Sequence, residues 1–319
     1  MIYLWCIGIL FTGRSVLCFG KKPPKPKKLR LQLRLISRRY RAGRRNPVKK
    51  FTLKKILAGI VAAVLLLSLT GCGSGKESSK NDDSLRKVLD AGQLVLGLDV
   101  DFPPMGFLDE NGEIVGFDID VAQEVCNRLG VKLVKKGINW DTKEDTLNSG
   151  EIDCIWNGMS ITPGRAETMN LSDPYMKNEL IVVILGESDA RNLSDLTGKK
   201  VGVQSGSTAL ETLEQSKIYP GITVVTFADN LTLLQKLTDG EVDAALVDSI
   251  VAYYFISSDD NPFLVLPDSL GEEKYAVGFR KNDQALRNKV QQIISEMKAD
   301  GTLSDISKKW FGSDITIVK

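Results

Sequence analysis

A predicted helix ends and a predicted strand begins within Thr146-Leu147-Asn148-Ser149-Gly150-Glu151-Ile152-Asp153-Cys154-Ile155-Trp156. The same pattern returns 90 residues later as Lys236-Leu237-Thr238-Asp239-Gly240-Glu241-Val242-Asp243-Ala244-Ala245-Leu246. In each copy a glycine closes the helix in the left-handed conformation that glycine adopts cheaply. The apolar residues after Asp153 and Asp243 are then predicted to enter a sheet. Two copies of one helix–turn–strand unit predict two lobes of related topology. The alternative is chance similarity of a common turn.

The segments around the repeat predict the class of fold. Residues 84–319 are long enough for two lobes of about 100 residues each. Leu94 to Leu98 is predicted to be the first strand, and Ile119 to Leu129 a helix with one apolar face. Apolar strands that alternate with amphipathic helices predict an α/β architecture with mostly parallel sheets.

The repeat also predicts where ligands bind. Counted from Asp153 and Asp243, Gly158 corresponds to Asp248, and both positions are predicted to lie just beyond their strands. In open parallel sheets ligands sit outside the carboxyl ends of strands. If the two lobes face each other, we expect Gly158 and Asp248 to lie on one cleft.

The charge of the chain is divided unevenly along its length. Residues 1–72 hold 17 of the 42 Lys and Arg residues and none of the 40 Asp and Glu residues, which leaves the remainder with 25 basic and 40 acidic side chains and a net charge of −15. This acidic remainder argues against a nucleic-acid partner, because phosphate binding needs clustered Lys and Arg.

A short apolar segment follows Lys54-Lys55 and ends the basic region. The uncharged run Ile56 to Leu69 has 14 residues, whereas a membrane-spanning helix needs roughly 20. A basic patch, a short apolar core and small residues are typical of a secretory signal peptide. The run ends in Leu69-Thr70-Gly71-Cys72, which resembles the lipobox of bacterial lipoproteins. The alternative is a buried cysteine that closes a core helix.

The lipobox resemblance implies a division of the N-terminal region. Residues 48–71 would be a signal peptide, Cys72 the lipidated residue, and 72–83 the lipid-bearing cysteine with a flexible polar tether. Lys21 to Arg45 is basic and contains proline, with no acidic residue and no helical apolar stripe. We expect residues 1–47 to be an upstream extension, with translation starting at Val48. The resulting protein would be anchored by palmitate and other acyl chains on the extracytoplasmic face of the cell membrane.

The first strand–loop unit carries a motif that resembles a known family. The motif is Asn157-Gly158-Met159-Ser160-Ile161-Thr162-Pro163-Gly164-Arg165. It is similar to the signature of the amino-acid-binding proteins of ABC importers, solute-binding protein family 3. The resemblance implies a two-lobed type II periplasmic-binding-protein fold, in which each lobe is a mostly parallel sheet flanked by helices and two crossover strands join the lobes. The implied first lobe is 84–182 with 278–319, the second is 183–277, and the crossovers are 179–185 and 274–280.

The family resemblance assigns roles within this motif. The Gly158 carbonyl and Ser160 hydroxyl would accept hydrogen bonds from the ammonium of an amino acid, and Arg165 would bind its α-carboxylate. A guanidinium suits that task because it is planar, donates in a two-pronged fashion and stays charged. The alternative for Arg165 alone is a solvated loop arginine.

The second lobe carries the complementary residues. Lys200 to Gln204 is predicted to be a strand, followed by a helix start at Ser205-Gly206-Ser207-Thr208-Ala209, whose free N–H groups favour an anion. By resemblance Thr208 contacts the α-carboxylate and Asp248 pairs with the ammonium, and we include Gln204 among the ligand-binding residues. The alternative for Asp248 is a helix N-cap.

Two aromatic residues are expected to enclose the substrate side chain. Phe102 follows the first strand and Trp140 precedes the next helix, at positions where the family carries aromatic residues. Either side chain could instead belong to the core. Asp99 and Asp101, near this pocket, favour a cationic or amide side chain.

An enzyme is the alternative to a binding protein. Without histidine, the chain cannot form His-based triads or His metal sites, and we expect no cofactor and no metal. Cys126 and Cys154 are interpreted as small core residues, with a disulfide left open. Carboxylates could still serve as acids, so a cleft enzyme similar to cyclohexadienyl dehydratase remains the alternative. We expect a monomer whose partners are a polar amino acid and an ABC permease in the membrane.

Overall fold

The computed structural model describes residues 82–257 and 262–319. Its strands are β1 (Gln93–Leu98), β2 (Asp101–Phe102), β3 (Gly106–Leu108), β4 (Ile114–Val115), β5 (Lys132–Gly137), β6 (Cys154–Ser160), β7 (Met169–Leu171), β8 (Met176–Leu185), β9 (Lys200–Gln204), β10 (Thr223–Phe227), β11 (Ala244–Asp248) and β12 (Phe263–Arg280). Its helices are α1 (Ser84–Ala91), α2 (Phe117–Leu129), α3 (Lys143–Asn148), α4 (Pro163–Thr168), α5 (Thr208–Glu214), α6 (Asn230–Thr238), α7 (Ser249–Ile256), α8 (Gln284–Ala299) and α9 (Thr302–Phe311). Single helical turns lie at Trp140–Thr142, Leu193–Leu196 and Tyr219–Gly221.

One large sheet organises these elements in the order β10-β9-β11-β8-β12-β6-β1-β5, with β7 paired to β12. The three strands at each end, β10-β9-β11 and β6-β1-β5, are mutually parallel. The two long central strands β8 and β12 pair antiparallel with each other and with their outer neighbours. This arrangement confirms the predicted α/β class with parallel strands in each half.

The two central strands contain the segments predicted to cross between lobes. Residues 179–185 lie in β8 and residues 274–280 lie in β12. The predicted lobe boundaries therefore fall within or next to these strands, and the assignment of 84–182 with 278–319 to one lobe and 183–277 to the other stays a prediction.

The repeat seen in the sequence has a physical basis in backbone hydrogen bonds. Asp153 accepts from the Val95 N–H through Oδ2 at 2.8 Å, and Asp243 accepts from the Lys200 N–H in the same way at 2.8 Å. Each aspartate thereby ties the start of its strand to the first strand of its own half. The glycines before them, Gly150 and Gly240, have φ values of 81° and 72°, as the predicted left-handed turns require.

Buried apolar side chains lie on both faces of the sheet. The largest cluster packs α2, α8 and α9 against β1, β6 and β12, and a second cluster packs α5 against β9 and β11. The predicted helix 119–129 begins two residues earlier, at Phe117, and its predicted apolar face is buried, with Leu129 partly so.

The structure answers the question that the sequence left open about a disulfide between the two cysteines. Cys126 and Cys154 are buried and both are free thiols. Burial raises the pKa of the Cys126 thiol to about 12.

Among residues 82–257 and 262–319, no helix has both the length and the apolar character to cross a membrane. The predicted signal peptide, Cys72 and tether lie outside the described residues, apart from the last two tether positions.

Candidate functional site

Arg165 is held by the short helix α4. The Thr162 hydroxyl accepts from the Arg165 N–H at 3.2 Å and Pro163 occupies the first turn, a typical helix start. The guanidinium is buried, with 5% of the residue exposed, and donates through Nη1 to the Ser160 carbonyl at 2.8 Å. Its Nη2 lies 3.4 Å from the Gly206 carbonyl in the other half. Within the described chain Arg165 has no carboxylate in ion-pair contact, and burial lowers its pKa.

Lys143 is a second buried cation beside Arg165, and the sequence reasoning missed it. Its Nζ donates to the carbonyls of Trp140 at 3.1 Å and Gly206 at 2.9 Å and lies 5.0 Å from the centre of the Trp140 ring. Burial, and then the charge of Arg165, lowers the pKa of Lys143 to about 8. Two cations therefore converge on one carbonyl oxygen of the Gly206 loop.

Asp248 ends β11 and lies at the opposite, anionic end of the site. Its Oδ1 accepts from Asn178 Nδ2 at 2.5 Å and from the Tyr275 hydroxyl at 2.6 Å. Although it stands at the N-cap position of α7, its side chain makes no capping bond, and its contact with a ligand stays a prediction. Burial, followed by the charge of Glu273, raises the pKa of Asp248 to about 7.

Ser160 joins the cationic and anionic ends. Its carbonyl oxygen accepts from Arg165, and its hydroxyl donates to Glu273 Oε2 at 2.8 Å. The same Glu273 oxygen accepts from Asn178 Nδ2 at 2.9 Å. Asn178 and Glu273 lie on β8 and β12, each one residue before the predicted crossover segment began. A prediction that began each crossover segment one residue earlier would have included both residues.

Gly158 lies inside β6 and Asp248 is the last residue of β11, so the predicted position of both residues just beyond their strands is wrong. The strand runs on to Ser160 because β12 pairs with it as far as that residue. Gly158 has φ +56°, and its N–H donates to Asp118 Oδ2 at 2.8 Å. A Cβ there would lie 2.8 Å from Phe102 Cε1, so Phe102 packs directly against this glycine.

Asp99 and Gln204 form a third group of predicted site residues, joined by a hydrogen bond. Gln204 Nε2 donates to Asp99 Oδ2 at 2.7 Å, and Asn230 holds the other end of the Gln204 amide at 2.9 Å. Burial raises the pKa of Asp99 to about 6. Burial and the nearby Asp229 and Asp99 raise the pKa of Asp101 to about 7.

The two remaining predicted residues lie beside these groups. Trp140 is buried beneath Lys143 and packs in a core cluster with Leu147 and Ile155, which is the core position considered for it. Thr208 is the first residue of α5 and is buried. Their contacts with a ligand stay predictions.

The structure thus brings most of the predicted residues into two linked groups. Ser160 connects Arg165 to Glu273, and Asn178 links Glu273 to Asp248. Gly158 lies between Phe102 and Tyr275, and a Cβ placed on Gly158 would lie 3.2 Å from the Tyr275 ring. Among the described residues no group of three or more Cys, Asp or Glu side chains is arranged to hold a metal ion.

The site thus has the buried cations Arg165 and Lys143 at one end, and the buried Asp248 with the half-buried Glu273 at the other. Residues 94–313 match the model of the bacterial extracellular solute-binding proteins, family 3. The chain belongs to this family, and the predicted type II periplasmic-binding-protein fold is confirmed.

Three known proteins illustrate the likeness. The L-cystine-binding protein TcyJ of Escherichia coli (strain K12) is 32% identical over 265 residues, covering 82% of this chain and 97% of TcyJ. The crystal structure of Tv2483 bound to L-arginine has a TM-score of 0.72 and 33% identity, covering 74% of this chain and 98% of Tv2483. The ancestral amino-acid-binding protein AncCDT-1, a precursor of cyclohexadienyl dehydratase, has a TM-score of 0.67 and 32% identity, covering 72% and 99%.

Proposed function

We propose that this chain is the extracytoplasmic substrate-binding component of an ABC transporter, which captures a polar amino acid between its lobes and delivers it to a membrane permease. The observation that carries the proposal is the position of Ser160. Its carbonyl contacts Arg165 and its hydroxyl contacts Glu273, so a buried cation and a carboxylate lie on either side of one residue. That spacing suits a carboxylate and an ammonium attached to one carbon atom.

Each end of the zwitterion has its own partner. The α-carboxylate would accept from the Arg165 guanidinium, with Thr208 beside it, and the α-ammonium would donate to Asp248, the Ser160 hydroxyl and the Gly158 carbonyl. Because these residues come from both halves, only the arrangement with the halves together satisfies both charges, and the ligand stabilises that arrangement. Phe102 and Trp140 would exclude water from the side chain and strengthen the charged contacts.

The side-chain end is proposed to favour a cationic or amide group. Asp99 and Asp101 are buried acidic residues there, and burial keeps the pKa of each above its ordinary value. A positive or hydrogen-bond-donating side chain would relieve the cost of burying them. Relatives that bind L-arginine and L-cystine are compatible with such a pocket.

The test is a calorimetric titration of the full chain in mild detergent, after unfolding and refolding to remove carried-over ligand. L-cystine and the twenty amino acids are titrated in turn. We expect saturable binding of one or a few, and about a hundredfold or greater loss in Arg165→Ala, because a buried charge-assisted contact is removed. Arg191→Ala, at an exposed arginine, is the matched control. Binding of none of these compounds would refute the proposed function.

The proposed anchoring rests on the lipobox. We propose that Cys72 carries the lipid and keeps the protein at the extracytoplasmic face of the cell membrane as a monomer, near its permease. Mass spectrometry of the purified protein tests this proposal through a diacylglyceryl-modified N-terminal Cys72. The Cys72→Ser variant should lack the modification and appear in the soluble fraction, and an unmodified wild-type cysteine would contradict the proposal.

A cleft enzyme is the alternative function. The buried Asp248, whose pKa is raised to about 7 beside Glu273, is a group that could exchange protons near neutral pH. We favour binding, because TcyJ is a binding protein and Tv2483 is bound to L-arginine. Conversion of a bound hydroxy acid into a dehydrated product would support the enzyme instead.

A further inference from the structure

Glu273 lies where β12 faces both of its neighbours in the sheet. Its Cα pairs with that of Asn178 on β8, and two residues later Tyr275 pairs with Ser160 on β6. From this position one oxygen, Glu273 Oε2, accepts from Ser160 Oγ at 2.8 Å and from Asn178 Nδ2 at 2.9 Å. Glu273 is therefore in contact with residues on both sides of the central strands.

These two bonds determine how the neighbouring groups are oriented. A serine hydroxyl has one hydrogen, and Ser160 donates it to Glu273, so the lone pairs of Ser160 Oγ stay available to a donor. Asn178 Nδ2 has two hydrogens and gives them to Asp248 Oδ1 and Glu273 Oε2. The donors supplied by the protein are thus directed at the carboxylates, and the oxygen atoms left at this end are acceptors.

Among the described residues, the two carboxylates at this end have no basic side chain in contact with them. Across 82–257 and 262–319, neither Glu273 nor Asp248 has a lysine or arginine within ion-pair distance, although a single amide nitrogen bonds both carboxylates. Two anions held this close are stabilised by a cation with several donor hydrogens. An ammonium has that charge and three such hydrogens.

We infer that Glu273 is a second anionic determinant of the ammonium subsite, which makes the site select amino acids over analogues that lack the ammonium. The inference rests on the proposed amino-acid-binding function. Glu273 acts mainly as a positioning residue: it fixes the Ser160 hydroxyl as an acceptor and, through Asn178, links that hydroxyl to Asp248. An acid without the ammonium would leave both carboxylates uncompensated, and the site would bind it weakly.

The test compares each amino acid with its des-amino analogue. The probes are L-arginine with 5-guanidinopentanoate and L-cystine with 3,3′-dithiodipropionate, titrated against the wild type, Glu273→Gln and Glu272→Gln. Glu272 is exposed and adjacent, so its variant removes the same charge without touching Ser160 or Asn178. We expect Glu273→Gln to weaken amino-acid binding by about tenfold, because the variant weakens a contact that the ammonium makes. The des-amino analogue has no ammonium, so its affinity should be unchanged or higher.

The outcomes separate this inference from the proposed function. Equal loss for both members of a probe pair, or no loss for either, would overturn the role of Glu273 while leaving amino-acid binding in place. A wild type that binds no amino acid would overturn both. If Glu273→Gln fails to fold, Glu273→Asp decides, because it keeps the charge but shortens the side chain that reaches Ser160 and Asn178. A loss confined to the amino acid supports the inference, and an equal loss for the analogue, or none for either, overturns it.

Discussion

Gln204 donates its side-chain N–H to Asp99 Oδ2 at 2.7 Å, and the two residues occupy equivalent positions relative to the backbone bonds that Asp153 and Asp243 make. Asp99 lies four residues after Val95, which is bonded by Asp153, and Gln204 lies four residues after Lys200, which is bonded by Asp243. A side chain from one copy therefore meets its own counterpart from the other. Because Asp99 and Gln204 belong to different halves, this bond needs the two halves to be together.

We therefore predict that Gln204→Ala favours the open arrangement. The wild-type bond joins a donor to a buried carboxylate, and its loss should raise the Kd of the amino acid about fivefold or more. Calorimetry measures the Kd, and small-angle scattering of the ligand-free protein should show a larger radius of gyration. Gln235→Ala, which removes a surface amide that bonds Asp239, should change neither quantity. An unchanged Kd and radius in Gln204→Ala would show that this contact does not stabilise the closed arrangement.

Burial of Asp101 predicts that the ligand-free protein becomes less stable as the pH rises. The pKa of Asp101 is raised from 3.8 to about 7, so between those values the folded chain keeps a proton that the unfolded chain has released. Its contribution to stability is full below about pH 4 and is lost as the pH rises through about 7. Asp101→Asn removes this loss and should raise the free energy of unfolding by about 2 kcal/mol at pH 8 and little at pH 4.5.

Urea denaturation at pH 4.5, 6 and 8 measures the effect of Asp101→Asn. The exposed Asp90 on α1 provides the control, since Asp90→Asn should shift stability by less than about 0.5 kcal/mol at each pH. A wild type whose stability is constant or rises over this range would contradict the direction predicted for Asp101. The buried Asp99, Asp118 and Asp248 act in the same direction because their pKa values are also raised.

The sequence predicted those parts of the molecule that depend on local pattern. The helix–glycine–strand repeat identified both halves, because Gly150 and Gly240 perform a local backbone task that is visible in any window containing them. The motif around Arg165 was also local, since Thr162 caps the helix that carries the guanidinium. Both predictions needed only near neighbours in the chain.

The missed residues depend on contacts between distant segments. Glu273 acquires its role by meeting Ser160, which is 113 residues away, and Lys143 by meeting Gly206, which is 63 residues away. On a strand with mixed polarity, neither Glu273 nor Asn178 stands out from solvent-facing neighbours. Asp118 lies in the first turn of α2, one residue before the predicted helix, and its bonds to Gly158 and Tyr175 require the tertiary fold.

Gly158 is predicted to tolerate no side chain. Its φ of +56° disfavours other residues, and a Cβ would lie 2.8 Å from Phe102 Cε1 and 3.2 Å from Tyr275 Cε2. Gly158→Ala should lower the free energy of unfolding by about 2–4 kcal/mol and weaken amino-acid binding, because backbone strain and crowding add. Thermal and urea denaturation measure the first effect.

Gly92 separates the two causes of that loss. Its φ is +65°, but a Cβ there meets nothing within 4 Å, so Gly92→Ala introduces only the backbone strain. The excess loss in Gly158→Ala measures the contacts with Phe102 and Tyr275 together. Phe102→Leu should recover part of this excess in the double variant, since the shorter side chain makes room. Equal losses in the two alanine variants would show that Phe102 does not crowd this position.

Lys143 is predicted to strengthen binding of the α-carboxylate and to do so only while protonated. Its ammonium and the Arg165 guanidinium share the Gly206 carbonyl, and within the described residues neither has an acidic partner in ion-pair contact. A bound carboxylate would relieve the repulsion between these two cations. Lys143→Met should therefore raise the Kd about tenfold at pH 7, while Lys132→Met, at an exposed position on β5, should leave it unchanged.

The pH dependence of binding distinguishes a charged contact from simple packing by Lys143. Because burial lowers its pKa to about 8, Lys143 loses its charge in the free protein as the pH rises from 7 to 9, and wild-type affinity should fall over that range. The α-ammonium of the ligand titrates nearby, and its effect remains in Lys143→Met. The difference between the two calorimetric profiles therefore belongs to Lys143. If both proteins lose affinity in parallel, the lysine acts only through its packing on Trp140.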